Sequence, residues 1–321
     1  MNTTPTLDQL LGIDYPLLVA PMFLVSNTAM VKAALDAGAT AAIPALNYRS
    51  TEMLASAIRE IRAHTSKPFG INLIVNRSNP KFKVQLKLLM CERPDFIITS
   101  LGSPAEVIAR CKPLGIKVFC DVVNLDYAKK VEELGADALI AVTNRAGGHC
   151  GPLPAEELMP LLQSHCRIPI ILAGGVSMPE HMADARRLGA SGVSAGTVFI
   201  ATHESPVSEN YKQALVQYKA QDIVLTSRLS GSPLTVINTP YFRSLGADET
   251  LLERLYKRHK WARKYLKMLL FAWGMKRIEQ AAFKATYKTV WVAGPAIEHI
   301  KAVRPLGDVV KDLGEGWYDG A

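Results

Sequence analysis

Residues 117–143 read Lys117-Val118-Phe119-Cys120-Asp121-Val122-Val123-Asn124-Leu125-Asp126-Tyr127-Ala128-Lys129-Lys130-Val131-Glu132-Glu133-Leu134-Gly135-Ala136-Asp137-Ala138-Leu139-Ile140-Ala141-Val142-Thr143. This stretch holds one complete strand–helix–strand unit. Lys117–Val122 is a strand-length apolar run of the kind buried on both faces in a parallel sheet. In Asp126–Leu134 the apolar residues recur every three or four positions, the period of a helix with one buried face. Gly135 follows, where a left-handed residue ends a helix without a Cβ clash and turns the chain into the next strand, Ala136–Thr143.

Outward from it the unit repeats. Strand-like runs are Tyr15–Met22, Ala39–Leu46, Pro68–Val75, Phe96–Leu101, Lys117–Val122, Ala136–Thr143, Pro169–Gly175 and Ser191–Ile200. Helical stretches such as Thr51–His64 and Pro179–Leu188 lie between them, Gly38 and Gly189 repeat the role of Gly135, and Ser103-Pro104 and Ser177-Met178-Pro179 read as polar helix starts. Eight units in the first two hundred residues, with no Gly-x-Gly-x-x-Gly turn after the first strand, favour an α/β fold of the (β/α)8 TIM-barrel type over an open doubly wound sheet. The barrel is expected over 1–220. A loop-rich stretch from Gln221 to Pro240 leads into a helical region at 249–286, so 221–290 reads as a mostly helical appendage, and 291–321 as a segment returning to the barrel.

Composition excludes other classes. The chain has 321 residues, 49% hydrophobic and 21% charged, too apolar for a disordered protein. Met1–Thr6 lacks the basic and apolar regions of a secretory signal, and the uncharged stretch Tyr15–Val31 is broken by Pro16 and Pro21, so no membrane span is expected. Five cysteines without metal or Cys-x-x-Cys spacing suit free thiols in a reducing cytoplasm. The other histidines show no metal spacing either, and no metal is expected. The net charge of +8 is local: residues 254–288 carry eleven Lys or Arg and one acid, leaving −2 for the rest. As a helix, this segment sets Leu255, Ala262, Leu266, Leu269 and Trp273 on one face and most of its lysines on the other. It reads as a helix packed on the barrel with a solvated cationic side, or as a docking face for an acidic carrier or CoA phosphates. Nucleic acid is not expected, since aromatic stacking platforms are sparse on the charged side.

In a barrel the chemistry sits at the carboxyl ends of the strands, where the loops converge. The sixth run ends in Thr143-Asn144-Arg145-Ala146-Gly147-Gly148-His149-Cys150-Gly151. Gly147 and Gly148 remove side-chain bulk so that the backbone can approach a planar ligand, and His149 is a candidate acid or base over it. The seventh and eighth runs end in Gly174-Gly175 and Gly196-Thr197, side-chain-poor rims suited to hold a phosphate through backbone N–H groups. Pro21 and Met22 end the first run; Asn72, in the third, offers a donor and an acceptor to a heteroaromatic edge. A flat cofactor with a phosphate tail fits this slot, and FMN is such a molecule. Cys150 is read as packing.

Ala20-Pro21-Met22, Pro68-Phe69-Gly70-Ile71-Asn72, Ala146-Gly147-Gly148-His149-Cys150-Gly151, Ala173-Gly174-Gly175 and Ala195-Gly196-Thr197 resemble the nitronate monooxygenase (2-nitropropane dioxygenase) family of FMN-dependent TIM-barrel oxidoreductases. The resemblance runs from about Tyr15 to Ile200 and returns faintly at Trp291-Val292-Ala293-Gly294 and in the final helix. It implies that Gly175, Gly196 and Thr197 hold the FMN phosphate, that Asn72, Pro21 and Met22 line the isoalloxazine, and that His149 is the catalytic base. The group also includes NAD(P)H:quinone reductases and flavin enoyl-thioester reductases, so it implies the cofactor more strongly than the substrate. Two positions depart from it: Arg145, where the motif often has Glu and where a solvent-facing side chain is expected, and Ala37-Gly38-Ala39-Thr40, where a further Gly pair is common. The first expectation is oxidation of alkyl nitronates with O2. The alternatives are an NAD(P)H-dependent flavin reductase of quinones or enoyl thioesters, with NAD(P)H as a transient donor, and a non-catalytic barrel binding an anionic surface through its basic helix.

Overall fold

The computed structural model describes residues 4–76, 79–226, 233–245 and 290–318. The first two hundred residues alternate helix and strand: α1 Leu7–Leu11, β1 Leu17–Val19, α2 Thr28–Asp36, β2 Thr40–Pro44, α3 Thr51–His64, β3 Gly70–Ile74, α4 Phe82–Glu92, β4 Phe96–Ser100, α5 Ala105–Cys111, β5 Lys117–Val122, α6 Leu125–Glu133, β6 Ala138–Val142, β7 Gly148–His149, α7 Ala155–Gln163, β8 Ile170–Ala173, α8 Pro179–Arg187, β9 Gly192–Ala195 and α9 Thr197–Ile200. Eight strands close into a parallel barrel in the order β1-β2-β3-β4-β5-β6-β8-β9, and β9 returns to β1 with Val193 opposite Leu17 and Ala195 opposite Val19. This is the (β/α)8 barrel expected from the repeat.

Period-two alternation along the strands divides the apolar residues between two cores. Leu18, Phe96, Ile98, Phe119, Ile140 and Ile171 form the inner one, in which the Phe96 and Phe119 rings stack at 4.8 Å. Their neighbours Leu17, Val19, Ile97, Val118, Cys120 and Leu139 face outward into the shell shared with the helices. Leu7 of α1 joins the inner core from the amino end of the strands, where its backbone N–H bonds Ser191 O at 2.6 Å. A Cβ on Gly70 would fall 2.2 Å from the Phe96 ring, and one on Gly192 2.7 Å from Leu7 Cβ, so both glycines make room for this plug.

Helix ends follow the sequence with two corrections. Asn27, Ser50 and Asn124 cap α2, α3 and α6 by accepting the N–H of Met30, Met53 and Tyr127. Gly38, Gly135 and Gly189 all have positive φ, as their places after helices require. Ser103 does not cap α5, because Pro104 itself takes the cap position. Nor does Ser177 cap α8, since Met178 holds that place and the Ser177 hydroxyl bonds His299 Nδ1 at 3.0 Å.

The stretch expected to be loop-rich contains strands. β10 Ile223–Thr226 and β11 Leu234–Ile237 form an antiparallel hairpin, and β11 continues onto β7, pairing Leu234 with His149 and Thr235 with Gly148. The helical region expected at 249–286 and the basic segment 254–288 lie outside the described residues. Trp291 stacks on Tyr211 with ring centroids 5.6 Å apart. The last helix, Leu306–Tyr318, packs on α8 and α2.

Candidate active site

A cavity of about 550 Å³ opens at the carboxyl end of the barrel strands, within the range of about 300–1,000 Å³ usual for ligand sites. Pro21, Met22, Asn72, Gly147, Gly148, His149, Gly174, Gly175, Gly196 and Thr197 all line it, so the structure brings every sequence-predicted site residue to one place.

The loop after β1 is cinched from two sides. Ser26 Oγ accepts the Met22 N–H at 2.8 Å, and Asn47 accepts the Leu24 N–H at 2.8 Å while donating to Ser26 O at the same distance. These bonds hold Pro21 and Met22 at the cavity wall and Leu24 at a φ of 59°. On β3, Asn72 is 7% exposed and donates to Ile98 O at 3.2 Å and Ser100 Oγ at 2.7 Å. With its amide protons spent on β4, its carbonyl oxygen is the atom left for a ligand.

His149 lies on the two-residue strand β7. Thr235 Oγ1 accepts the Gly148 N–H at 2.9 Å and donates to Ala146 O at 3.1 Å, which ties the histidine loop to β11. At its base, Thr143 Oγ1 donates to Ala173 O at 3.1 Å and Gly151 N–H donates to Thr143 O at 3.1 Å. The imidazole is half-buried. Burial pushes the neighbouring Cys150 thiol up, which disfavours a thiolate nucleophile there.

The rim glycines fall into two kinds. A Cβ on Gly147 would lie 2.5 Å from Thr197 Oγ1, and one on Gly174 2.4 Å from Thr143 Oγ1, so the protein's own packing requires these two. At Gly196 a Cβ would meet only Met22 Sδ at 3.4 Å and Ala20 Cβ at 3.5 Å, both cavity-lining residues; at Gly148 the nearest atom is 3.7 Å away. A side chain at these two would meet only ordinary contacts, which leaves a cradle that a ligand can take, although the φ of 83° at Gly148 also calls for glycine. Thr197 Oγ1 accepts the Gly294 N–H at 3.0 Å and keeps its own proton to donate. Arg145, expected in solvent, is exposed but also lines the cavity mouth, with its Nε 3.4 Å from the place of a Gly175 Cβ. It puts a cation beside that rim.

Sequence reasoning missed Ser100, Asp121 and Tyr127, which line the same cavity. Ser100 donates its hydroxyl to Asp121 Oδ2, and burial pushes the Asp121 carboxyl up to about 6. The signal was a lone acid interrupting the apolar run Lys117–Val122 near the carboxyl end of the strand. The remaining wall is apolar, with Phe23, Leu46, Ile74, Leu101 and Val123. Among the described residues, no group of three or more His, Cys, Asp or Glu is placed to hold a metal, and no helix is long and apolar enough to cross a membrane.

Comparison with known proteins gives one family. The (3aS,4S,5R,7aS)-5-hydroxy-7a-methyl-1-oxo-octahydro-1H-indene-4-carboxyl-CoA dehydrogenase of Rhodococcus jostii is 32% identical, over 76% of this chain and 69% of its own. A nitronate monooxygenase of Paraburkholderia phytofirmans is 31% identical, over 74% of this chain and 77% of its own. Among solved structures, FabK from Thermotoga maritima superposes with a TM-score of 0.84 at 28% identity, covering 99% of this chain and 97% of that one. The nitronate monooxygenase profile matches residues 4–84 and 77–316. On that match, and on a closed barrel whose glycine rims and histidine loop meet at a single cavity, the chain belongs to the nitronate monooxygenase family, whose members are FMN-dependent oxidoreductases.

Proposed function

We propose that this chain binds FMN in the cavity and oxidises alkyl nitronates with O2, with His149 as the acid and base. One observation carries the reading: His149 shares its cavity with Gly196 and Gly148, the two glycines whose absent side chains leave space there. FMN, when bound, supplies a two-electron acceptor that O2 can reoxidise. Gly175, Gly196 and Thr197 would hold its phosphate, with Arg145 adding a cation beside Gly175 and the Thr197 hydroxyl a donor. Asn72, Pro21 and Met22 would line its ring system; Gly147 and Gly174 shape the rims from behind. An imidazole working near neutral pH is suited to take the proton from the acidic α-carbon of a nitro compound, or to donate a hydrogen bond to its oxygens. The unpaired cysteines accord with a reducing compartment, and we assign the chain to the cytoplasm.

A second reading is favoured by the apolar wall and by the CoA thioester in the name of the Rhodococcus relative: reduction of an enoyl thioester or quinone by NAD(P)H as a transient donor. The deciding experiment mixes the anaerobic, FMN-loaded protein with propyl nitronate or with NADH and NADPH. Bleaching of the flavin by the nitronate alone is expected. Bleaching only by a nicotinamide transfers the assignment to the second reading, and a colourless protein that cannot be loaded with FMN removes both.

A further inference from the structure

The polar groups of the cavity and its apolar wall lie at different depths on the same strands. On β3, Asn72 and Ile74 both line the cavity, two residues apart on one face; Asp121 and Val123 repeat this spacing at the end of β5. In each pair the polar residue is the deeper one and the apolar residue stands nearer the mouth. Leu46 after β2 and Leu101 after β4 complete the pattern, so the ends of β2 to β5 carry an apolar rim. His149 and the glycine rims follow β6, β8 and β9 on the other part of the closed sheet.

Leu101 is the exposed member of the apolar rim, at 39%, whereas Leu46, Ile74 and Val123 are half-buried. An apolar side chain left in water beside a cavity has area still to bury. Its backbone is unusual as well, with a φ of 58°, in the left-handed region that few side chains enter. Among the described residues, Arg93 and Leu24 also have positive φ without being glycine. Arg93 closes α4, where such a residue is ordinary, and Leu24 belongs to the cinched loop after β1. Leu101 closes no helix.

The loop that carries it is fixed from both sides. Val75 N–H donates to Ser100 O at 3.0 Å, and a Cβ on Gly102 would lie 2.8 Å from Val75 O. From α6 the Tyr127 hydroxyl donates to Gly102 O. Burial pushes this phenol up to about 12, so it keeps the proton that it donates. Contacts from two neighbouring units thus hold a leucine in a costly conformation, with its side chain at the mouth and partly in solvent.

We propose that Leu101 is a specificity-determining residue, held at the cavity mouth by Tyr127 to pack on the apolar chain of the substrate. The reacting group lies deeper, by His149, and the chain runs outward along Leu46, Ile74, Leu101 and Val123. The favoured substrates are therefore unbranched compounds of medium length over their ethyl and propyl analogues. The use of nitronates as probes rests on the nitro-compound reading above; the grip of Leu101 on a chain does not.

The test uses the FMN-loaded protein and the variants Leu101→Asn, Leu101→Met and Tyr127→Phe. Asn branches at the same carbon as Leu and tolerates left-handed backbone, so it removes the apolar surface while easing the conformation. Ethylnitronate, butyl-1-nitronate and hexyl-1-nitronate are assayed at one pH. Wild-type kcat/KM is expected to rise about threefold per added methylene. The hexyl-to-ethyl ratio should fall about tenfold in Leu101→Asn, although its urea midpoint equals or exceeds that of wild type. Leu101→Met, which keeps the apolar surface, should keep the ratio, and Tyr127→Phe should lower it by a smaller factor than Leu101→Asn. Hexanamide and propionamide, unreactive and neutral, are titrated by perturbation of the flavin absorbance, and the preference for hexanamide should shrink in Leu101→Asn. An unchanged hexyl-to-ethyl ratio in that variant overturns the proposal. So does an equal fall in Leu101→Met, since the backbone and not the apolar surface would then be what counts. If no nitronate is oxidised while Leu101→Asn still loses its preference for hexanamide, the nitro-compound reading falls and the role of Leu101 stands. If that preference is also unchanged, the role of Leu101 falls on its own account.

Discussion

The amino and carboxyl ends of the barrel are made from the same strands and are finished in opposite ways. At the amino end, Leu7 of α1 and the stacked Phe96 and Phe119 rings fill the interior, and Gly70 and Gly192 give up side chains so that apolar groups fit. At the carboxyl end, Asn72, Ser100, Asp121 and Ser194 replace the apolar pattern, and a Cβ on Gly148 or Gly196 would meet neighbours no nearer than 3.4 Å. Glycine therefore serves packing alone at one end, whereas at the other it is divided between packing at Gly147 and Gly174 and open cavity wall at Gly148 and Gly196. One end contributes stability and the other spends part of it on a hollow lined with polar groups.

Four measurements can break or sharpen this contrast. The largest effect is expected at the open end: His149→Asn should retain FMN while turnover of a neutral nitroalkane falls about 10²–10⁴-fold. Undiminished turnover would detach the histidine from the chemistry. At the closed end, Phe96→Ala should lower the unfolding free energy by about 3–5 kcal/mol in urea titrations and leave FMN affinity unchanged. Loss of FMN binding in that variant would show that the two ends are not separable.

Asp121→Asn is expected to stabilise the apoprotein by about 1–3 kcal/mol at pH 8. Its folded pKa of about 6 lies above the unfolded value of 3.8, so the ionised group costs stability. That cost is absent below the unfolded value, grows as pH rises between the two, and is complete above the folded one. Urea midpoints of wild type and variant should therefore separate at pH 8 and converge near pH 4. The smallest change is expected for Tyr211→Phe. Removing the hydroxyl that donates to Val292 O should cost about 0.5–1.5 kcal/mol of unfolding free energy with little effect on FMN binding.

The barrel was legible because strands buried on both faces appear as uninterrupted apolar runs, and the glycines after helices mark where each run begins. The helix Thr51–His64 has the limits that its periodicity indicates. The rims at Gly174-Gly175 and Gly196-Thr197 were legible because their place at strand ends follows from the repeat. What escaped was non-local or short. The strands Ile223–Thr226 and Leu234–Ile237 are four residues each, and the pairing of the second with Gly148–His149 joins positions more than eighty residues apart, which no local pattern announces. Asp121 was passed over as part of an apolar strand, although a charge inside such a run needs either a partner or a purpose. Arg145 is exposed, as expected, but its approach to the Gly175 rim depends on the fold of the 143–151 loop and has no local signature.

The histidine and the element that steadies it come from different parts of the chain. His149 belongs to a barrel loop, yet its backbone is registered against Leu234 in a hairpin outside the closed sheet. The position of this imidazole can thus be adjusted by mutations that never touch the barrel wall. Over evolutionary time, relatives can inherit one cofactor-binding shell and diverge in chemistry by remodelling the ribbon that props up a single imidazole.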